Sequence, residues 1–319
     1  MICRFMVGLS AVFAASIACA AEYPAKPLRL VVPYSAGGST DTVARLIGAR
    51  LSERLGQQVV VDNRTGAGTL IGTGIVAQAV PDGYTLLMAT PPLAVNPALH
   101  AKVSYDLERD FVAITNVAAS SNLLVVHPSL PAKSAKELIA LLKANPGKFN
   151  YGSSGVGGAG HLAMALFTSM AGVDAVHVPY KGGAPAVADL VGGRLNLMMA
   201  NLTTAQPHIR AGRLRALGVG TKKRTPLFPE MPTLAEAGVP GYEANNWNGM
   251  VAPRGTPRAV IERLYREVAA VLKEPLTTER LAAGGLEPIG DTPAEFARYL
   301  KAEAGKWGRL VKTAGIKAE

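Results

Sequence analysis

The sequence predicts an α/β protein of two domains with a ligand cleft between them. Three observations carry this. From residue 28 onward, short β-branched runs alternate with helical patterns, as in sheets covered by helices on both faces. The theme occurs twice, with separations near residues 121 and 245, so the chain crosses between domains twice. Glycine-rich and hydroxyl-rich stretches fall where strands end and helices begin, the place where open α/β sheets bind ligands. The expected division is a leader at residues 1–20, a first domain of 22–121 plus 246–319, and a second domain of 122–245.

In chain order, Leu28–Val32 reads as a buried strand. Thr42–Leu55 follows as a helix with Val43, Leu46, Ile47 and Leu51 on one face. Val59–Val61 is a strand, Leu70–Ala79 a helix and Tyr84–Met88 a strand. Phe111–Val117 and Leu123–His127 read as two strands broken at Ala118–Asn122, and Lys133–Ala144 as a helix stopped by Asn145-Pro146-Gly147. The second round gives strands at Asn150–Gly152, Ala175–Val178, Leu195–Met199 and Leu214–Val219, with helices at His161–Met170 and Ala184–Val191. Alternation of this kind predicts parallel sheets. Pro226–Asn246 is rich in Pro and Gly and reads as a loop-rich crossing. Trp247–Val251 is the last strand. Thr256-Pro257 opens one late helix, and the capping box Thr292-Pro-Ala-Glu295 opens the other.

The leader explains the cysteines. The chain of 319 residues has two, Cys3 and Cys19. Arg4, the apolar run Phe5–Ile17 and Ala18-Cys19-Ala20 fit a signal peptide cut before Ala21. The run is shorter than the roughly 20 residues that a spanning helix needs. A lipoprotein reading of Cys19 competes, but Ser16 stands three positions upstream where an aliphatic residue is usual, so lipid anchoring is not expected. The exported chain then contains no thiol, which excludes disulfides, thiolate catalysis and cysteine-ligated metals. Loss of Arg4 lowers the formal charge from +10 to +9. That charge is spread along the chain, with Lys222-Lys223-Arg224 its longest cluster, so no nucleic-acid partner is expected; a mild attraction of anions toward a cleft is.

Five loops carry the chemistry. Pro33-Tyr-Ser-Ala-Gly-Gly-Ser-Thr-Asp41 places Gly37 and Gly38 before a helix whose unpaired N–H groups suit a carboxylate or phosphate oxygen. A simpler reading, in which Ser39 or Thr40 caps that helix, can coexist with it. Asn63-Arg-Thr-Gly-Ala-Gly-Thr-Leu70 repeats the design, and Ala89-Thr-Pro-Pro-Leu93 offers the Thr90 hydroxyl. The fourth loop, Gly152-Ser-Ser-Gly-Val-Gly-Gly-Ala-Gly-His161, contains a formal G-x-G-x-x-G at Gly155, Gly157 and Gly160. The strand after it ends in Pro179-Tyr180-Lys181 and not in an acidic residue for a ribose, so a dinucleotide is not expected. The fifth loop is Val178-Pro-Tyr-Lys-Gly-Gly-Ala184. No G-x-S-x-G, S-x-x-K, H-E-x-x-H or Walker A pattern occurs, and the five histidines show no metal-ligand spacing; no metal or cofactor is expected. His161 either packs at its helix start or serves the site. Tyr180 and Trp247 are candidate apolar walls, Trp307 a packing residue, and Lys181 a possible carboxylate partner.

Taken together, Pro33-Tyr-Ser-Ala-Gly-Gly-x-x-Asp41, Asp62-Asn-Arg-x-Gly-Ala-Gly68, Pro81-Asp-Gly-Tyr84, Tyr151-Gly-Ser-Ser-Gly-Val-Gly157, His177-Val-Pro-Tyr-Lys-Gly182, Ala211-Gly-Arg-Leu-Arg-Ala-Leu217, Pro232-Thr-Leu-Ala-Glu-Ala-Gly238 and Ala252-Pro-Arg-Gly-Thr-Pro257 occur in order. The chain resembles, from about residue 22 to 319, the Bug family, the extracytoplasmic solute receptors of tripartite tricarboxylate transporters. The resemblance implies a type II periplasmic-binding-protein fold that closes on a small carboxylated solute: an organic acid, an acidic amino acid or an aromatic acid. It implies a monomer in the periplasm that passes its ligand to a two-component membrane permease, and no enzymatic activity. Carried over by position, the contacts are Tyr34, Ser35, Ala36, Gly37, Gly38 and Asp41, then Gly68, Thr69 and Thr90. The second domain adds Ser153, Ser154, Gly155, Gly157, His161, Tyr180, Lys181 and Asn201. Thr69 departs from the resemblance, standing where relatives usually have a third glycine. Asn196 and Ala200 replace residues that are often acidic. A sensory receptor that signals to a membrane kinase shares the fold and is the alternative; a secreted hydrolase using one of the loop serines is the more distant one.

Overall fold

The computed structural model describes residues 23–180, 182–225, 228–313 and 316. The expected leader, Lys181 and the start of the Pro226–Asn246 crossing lie outside the described residues. Among the described residues no helix is long and apolar enough to cross a membrane.

The chain opens with β1 (Leu28–Val32), buried at Leu28, Leu30, Val31 and Val32 because both faces of its sheet are covered. The first helix, α1 (Ser39–Leu55), buries Val43, Ala44, Ile47, Leu51 and Leu55, spaced by steps of one to four along one face. Next come β2 (Val59–Asn63), α2 (Leu70–Ala77) and β3 (Thr85–Ala89). β1 pairs in parallel with both β2 and β3, so the carboxyl ends of all three strands share one edge. α3 (Pro92–Leu99) and the short α4 (Leu107–Asp110) then lead into β4 (Phe111–Val126).

The expected break at Ala118–Asn122 does not exist. β4 is one strand of 16 residues. Ala118-Ala119-Ser-Ser-Asn122 reads as a turn by composition, yet Ser120, Ser121 and Asn122 are buried and paired across strands. β4 passes through both halves of the sheet. Up to Ser121 it pairs with a late strand, and from Asn122 it pairs with strands of the second round.

That second round contains α5 (Ala135–Ala144), β5 (Asn150–Ser153), α6 (Ala159–Ala171), β6 (Val176–Pro179), α7 (Gly183–Val191), β7 (Leu197–Asn201), α8 (Leu202–Arg210) and β8 (Arg215–Val219). β5 is parallel to β6 and β7, so their carboxyl ends also share an edge. The chain returns through β9 (Asn245–Pro253), α9 (Arg258–Val271), α10 (Pro275–Ala283), β10 (Leu286–Pro288) and α11 (Pro293–Thr313). The sheet order is β2-β1-β3-β9-β4-β7-β5-β6, with β8 and β10 also on β4. It is mixed rather than parallel throughout. β9 inserts between β3 and β4 and runs antiparallel to both, and β7, β8 and β10 are antiparallel to β4.

Four clusters of buried side chains cover the two faces of the two halves. β4 feeds all of them, because successive side chains point to opposite faces. Leu124 and Val126 enter one second-half cluster, and Leu123 and Val125 the other. Trp247 is fully buried and meets Phe296 and Tyr299 edge-on, at 5.7 and 6.0 Å between ring centres. It therefore belongs to the core and walls no cleft. α11 serves both halves: Phe296 and Leu300 pack in the first, while Trp307, Leu310 and Val311 join the second-half cluster. Full burial of a Phe or Leu stabilises by about 1.5–3 kcal/mol. Trp307 Nε1 donates to buried Glu303 at 2.7 Å, and Lys306 pairs with Glu303 and donates to the Glu243 carbonyl at 3.3 Å, fastening α11 to the returning crossing.

Candidate functional site

Three loops rise from the shared edge of β2, β1 and β3, and side chains lace them together. The Asn63 amide donates to the Tyr34 carbonyl at 2.9 Å, joining the loop after β2 to the loop after β1. Tyr34 and Thr90 hydroxyls lie 3.0 Å apart, joining the loop after β1 to the end of β3. Asn96, on α3, donates to the Gly68 carbonyl at 2.9 Å and to Thr69 Oγ1 at 3.3 Å, joining the outer two.

Asp41 organises the first loop. It is 2% exposed. Its carboxylate accepts from Gly37 N–H at 2.8 Å, Arg45 Nε at 2.9 Å and Asn63 Nδ2 at 2.9 Å. Burial alone raises such a carboxyl, but the hydrogen bonds from Arg45, Gly37 and Asn63 outweigh it and hold Asp41 below the usual carboxylate value. Gly37, at φ +81°, turns its N–H inward to Asp41, so the outward-facing donors of this loop lie further along. Ser35, Ala36, Gly37, Gly38 and Ser39 are exposed. The cap of α1 is Gly38, with no side-chain hydrogen bond, so the first-turn N–H groups have neither an intrahelical partner nor a side-chain cap. Neither Ser39 nor Thr40 performs the capping that the sequence allowed. The ring of Tyr34 is half-buried, and burial raises its hydroxyl pKa against the opposing pull of Thr90.

On the second-half edge, the fourth loop follows β5 and opens α6 on Gly158, again without a side-chain cap. α7 opens the same way on Gly182. Three rings stack behind this loop. Tyr151 lies 4.9 Å from His177, and His177 lies 4.0 Å from His161 with planes 7° apart. Gly157 N–H donates to His161 Nδ1 at 3.1 Å, which places the proton of neutral His161 on Nε2. Burial, assisted by His177, lowers the pKa of His161 to about 4 and keeps it neutral. Ser153 is wholly buried. Its hydroxyl lies 2.6 Å from His177 Nε2 and bonds both the carbonyl and the N–H of Gly155 at 3.1 Å. Ser154 is exposed and Gly155 half-exposed. The Tyr180 hydroxyl donates to Asp189 at 2.8 Å, its N–H donates to the Ser153 carbonyl at 3.0 Å, and its half-buried ring packs against a second-half cluster.

The two edges meet at the crossing. Asn201, at the end of β7, pairs with Asn122 in the sheet and donates to Ser120 Oγ at 3.1 Å. A β-carbon at Gly157 would stand 3.2 Å from Leu99 of α3, which packs in the same buried cluster as α6. The structure thus gathers Tyr34, Gly37, Asp41, Gly68, Thr69 and Thr90 on one edge, and Ser153, Gly155, Gly157, His161 and Tyr180 on the other, with Asn201 between them. Lys181 lies outside the described residues. Sequence reasoning missed Asn63, Asn96, Ser120 and His177. It also missed Arg45, for which a signal was present: Arg45 stands four residues after Asp41 on one helix, a spacing that pairs opposite charges.

Comparison with known proteins gives this arrangement a family. Residues 43–316 match the family described as "Tripartite tricarboxylate transporter family receptor". The chain belongs to this receptor family. Among the family's members, BugT of Bordetella pertussis is 38% identical over 297 residues, covering 92% of this chain and 91% of BugT. Among solved structures, "R. palustris Rpa4515 with adipate" is 42% identical with a TM-score of 0.83, covering 93% of this chain and 99% of that one. MatC from Rhodopseudomonas palustris with bound malate is 31% identical with a TM-score of 0.79, covering 91% and 100%. The tricarboxylate-transporter receptors share the two-domain periplasmic-binding-protein fold, and this chain has it.

Proposed function

We propose that the protein captures a small carboxylated solute between its two halves, with each half meeting the ligand through the open end of a helix. The observation that carries this reading is a difference in capping. Helices α4, α5, α9, α10 and α11 open on residues that carry a side chain: Asp106, Ser134 and Thr292 cap α4, α5 and α11, while Pro257 and Glu274 stand before α9 and α10 without a side-chain hydrogen bond. α1, α6 and α7 start at the edges and have glycine caps with no side-chain hydrogen bond. A glycine cap leaves the first-turn N–H groups to an outside anion. A charge-assisted hydrogen bond stabilises by about 1.5–3 kcal/mol, and the helix dipole adds about 0.3–1 kcal/mol. Two such ends on opposite edges suit a solute with a carboxylate at each end. The structures with adipate and malate support this class.

In this reading the solute bridges a first domain of residues 22–121 plus 246–319 and a second domain of 122–245, and the receptor works as a periplasmic monomer. The change of β4 partners between Ser121 and Asn122 supports the division. The loaded receptor passes its solute to a two-component membrane permease, as the family description suggests. Hydrolysis is disfavoured because Ser153, the glycine-loop serine beside a histidine, is wholly buried and tied into its own turn.

A thermal-shift screen of C4–C6 dicarboxylates, acidic amino acids and aromatic acids tests the reading. A bound acid should stabilise by RT ln(1 + [L]/Kd), about 2.7 kcal/mol at a hundredfold excess over Kd. Absence of stabilisation by every acid, together with turnover of ester substrates, would overturn it.

A further inference from the structure

The loop after β2 is unusual in its backbone. Four consecutive residues have positive φ: Gly66 at 125°, Ala67 at 47°, Gly68 at 60° and Thr69 at 83°. Glycine adopts such angles without steric conflict, whereas a β-branched residue there is an outlier. Thr69 is also 5% exposed, so its hydroxyl does not rest in bulk water.

The proton inventory is specific. Asn96 is 3% exposed, and its amide directs one bond to the Gly68 carbonyl at 2.9 Å and another to Thr69 Oγ1 at 3.3 Å. Thr69 Oγ1 is therefore an acceptor toward Asn96, and its own proton points elsewhere. Among the described residues no acceptor takes that proton. The Asn96 bridge runs from the helix after β3 to the loop after β2. β1 lies between those strands, so the bridge spans the end of β1, where the Gly37–Gly38 loop and the uncapped start of α1 lie. Strained residues held in place by their surroundings concentrate at binding sites.

We propose that Thr69 is a specificity-determining residue: its hydroxyl, oriented by Asn96, donates to an acceptor oxygen of the bound carboxylated solute, and its methyl group limits which solutes fit. The inference rests on the carboxylate reading above and adds a residue-level selector to it. A neutral donor on the same edge as the start of α1 favours a ligand that presents a second oxygen besides its carboxylate, and the methyl group disfavours bulk at that position.

The test combines ligand-free melting with calorimetric titration of adipate and of malate, on Thr69→Gly, Thr69→Ser and Thr69→Val. Thr69→Gly relieves the backbone and should raise Tm by a few degrees. It should also weaken the tighter-binding of the two acids by about tenfold, the size of one hydrogen bond to a charged group, and narrow the difference between them. Thr69→Ser keeps the hydroxyl and should stay within about threefold of the parent. Thr69→Val should lose as much affinity as Thr69→Gly; if it fails to fold, the Ser and Gly variants decide. A lower Tm for Thr69→Gly with unchanged affinity would make Thr69 a loop brace and overturn the proposal. If the parent binds neither these acids nor any other carboxylate, the carboxylate reading itself falls and takes the proposal with it. If the parent binds and all three variants match it, only the role of Thr69 falls.

Discussion

The two edges of the candidate site are built to the same backbone plan and held by different physics. On the first edge an ionised carboxylate, Asp41, gathers Gly37, Arg45 and Asn63, and amide and hydroxyl side chains lace the loops. On the second edge a stack of Tyr151, His177 and His161 stands behind the glycine loop, and its buried imidazole works as a neutral acceptor for Gly157 N–H. One edge needs a charge to stay ordered and the other needs a charge to stay away. The helix ends that both edges present are therefore kept in position by groups that respond to acid in different pH ranges.

The largest effect that separates the edges is that of pH. His161 has a folded pKa of about 4 against 6.5 for a free histidine, so the unfolded chain binds more protons between those values. Stability from this group is complete above about 6.5 and is lost as pH falls toward 4, to a total on the order of 3 kcal/mol. Asp41 has the opposite character. Its lowered pKa contributes stability that is present above 3.8 and lost only as pH falls below that value. Denaturant melts from pH 7 to 4.5 should therefore show a fall that His161→Gln largely removes and Asp41→Asn does not. Parallel curves for the parent and His161→Gln would break the comparison.

Next in size is the loss of the charged brace. Asp41→Ala leaves Gly37 N–H, Arg45 and Asn63 without their common acceptor and should cost about 2 kcal/mol at pH 7, measured by urea unfolding. Calorimetry with the best acid should show affinity falling at least tenfold, because the loop before α1 loses its anchor. The smallest effect is expected on the second edge. Tyr180→Phe removes only the hydrogen bond to Asp189 and should cost about 1 kcal/mol or less. Affinity should change less than about threefold, since the ring remains. A larger loss would mean that the hydroxyl itself meets the ligand.

What could be read from the sequence follows the same division between local and distant causes. Strands such as Leu28–Val32 and the amphipathic faces of α1 and α9 have local patterns, and they form where those patterns lie. α3 and α8 were hidden because each contains a proline, Pro97 and Pro207, that breaks the helical pattern on paper. The continuity of β4 was hidden because Ser120, Ser121 and Asn122 are turn formers by composition, and only the partners on both sides make them strand. The glycine loops were legible because backbone freedom is written in the residue itself. Their braces were not: Asn96 reaches Gly68 across 28 positions and His177 reaches Ser153 across 24, distances at which nothing in the chain announces a contact. Trp247 shows the converse error, an aromatic placed near the cleft by position and buried by Phe296 and Tyr299.

The most direct measurement is an amide chemical-shift titration of the 15N-labelled protein with adipate or, if it binds more tightly, another dicarboxylate from the screen. The N–H signals of Ser39 and Thr40 at the start of α1, and of Ala159 and Gly160 at the start of α6, are predicted to move together along one binding curve, while those of Glu108 and Glu137 in the side-chain-capped helices stay still. Movement of only one of the two helix starts, or of neither while the acid binds, would contradict the account.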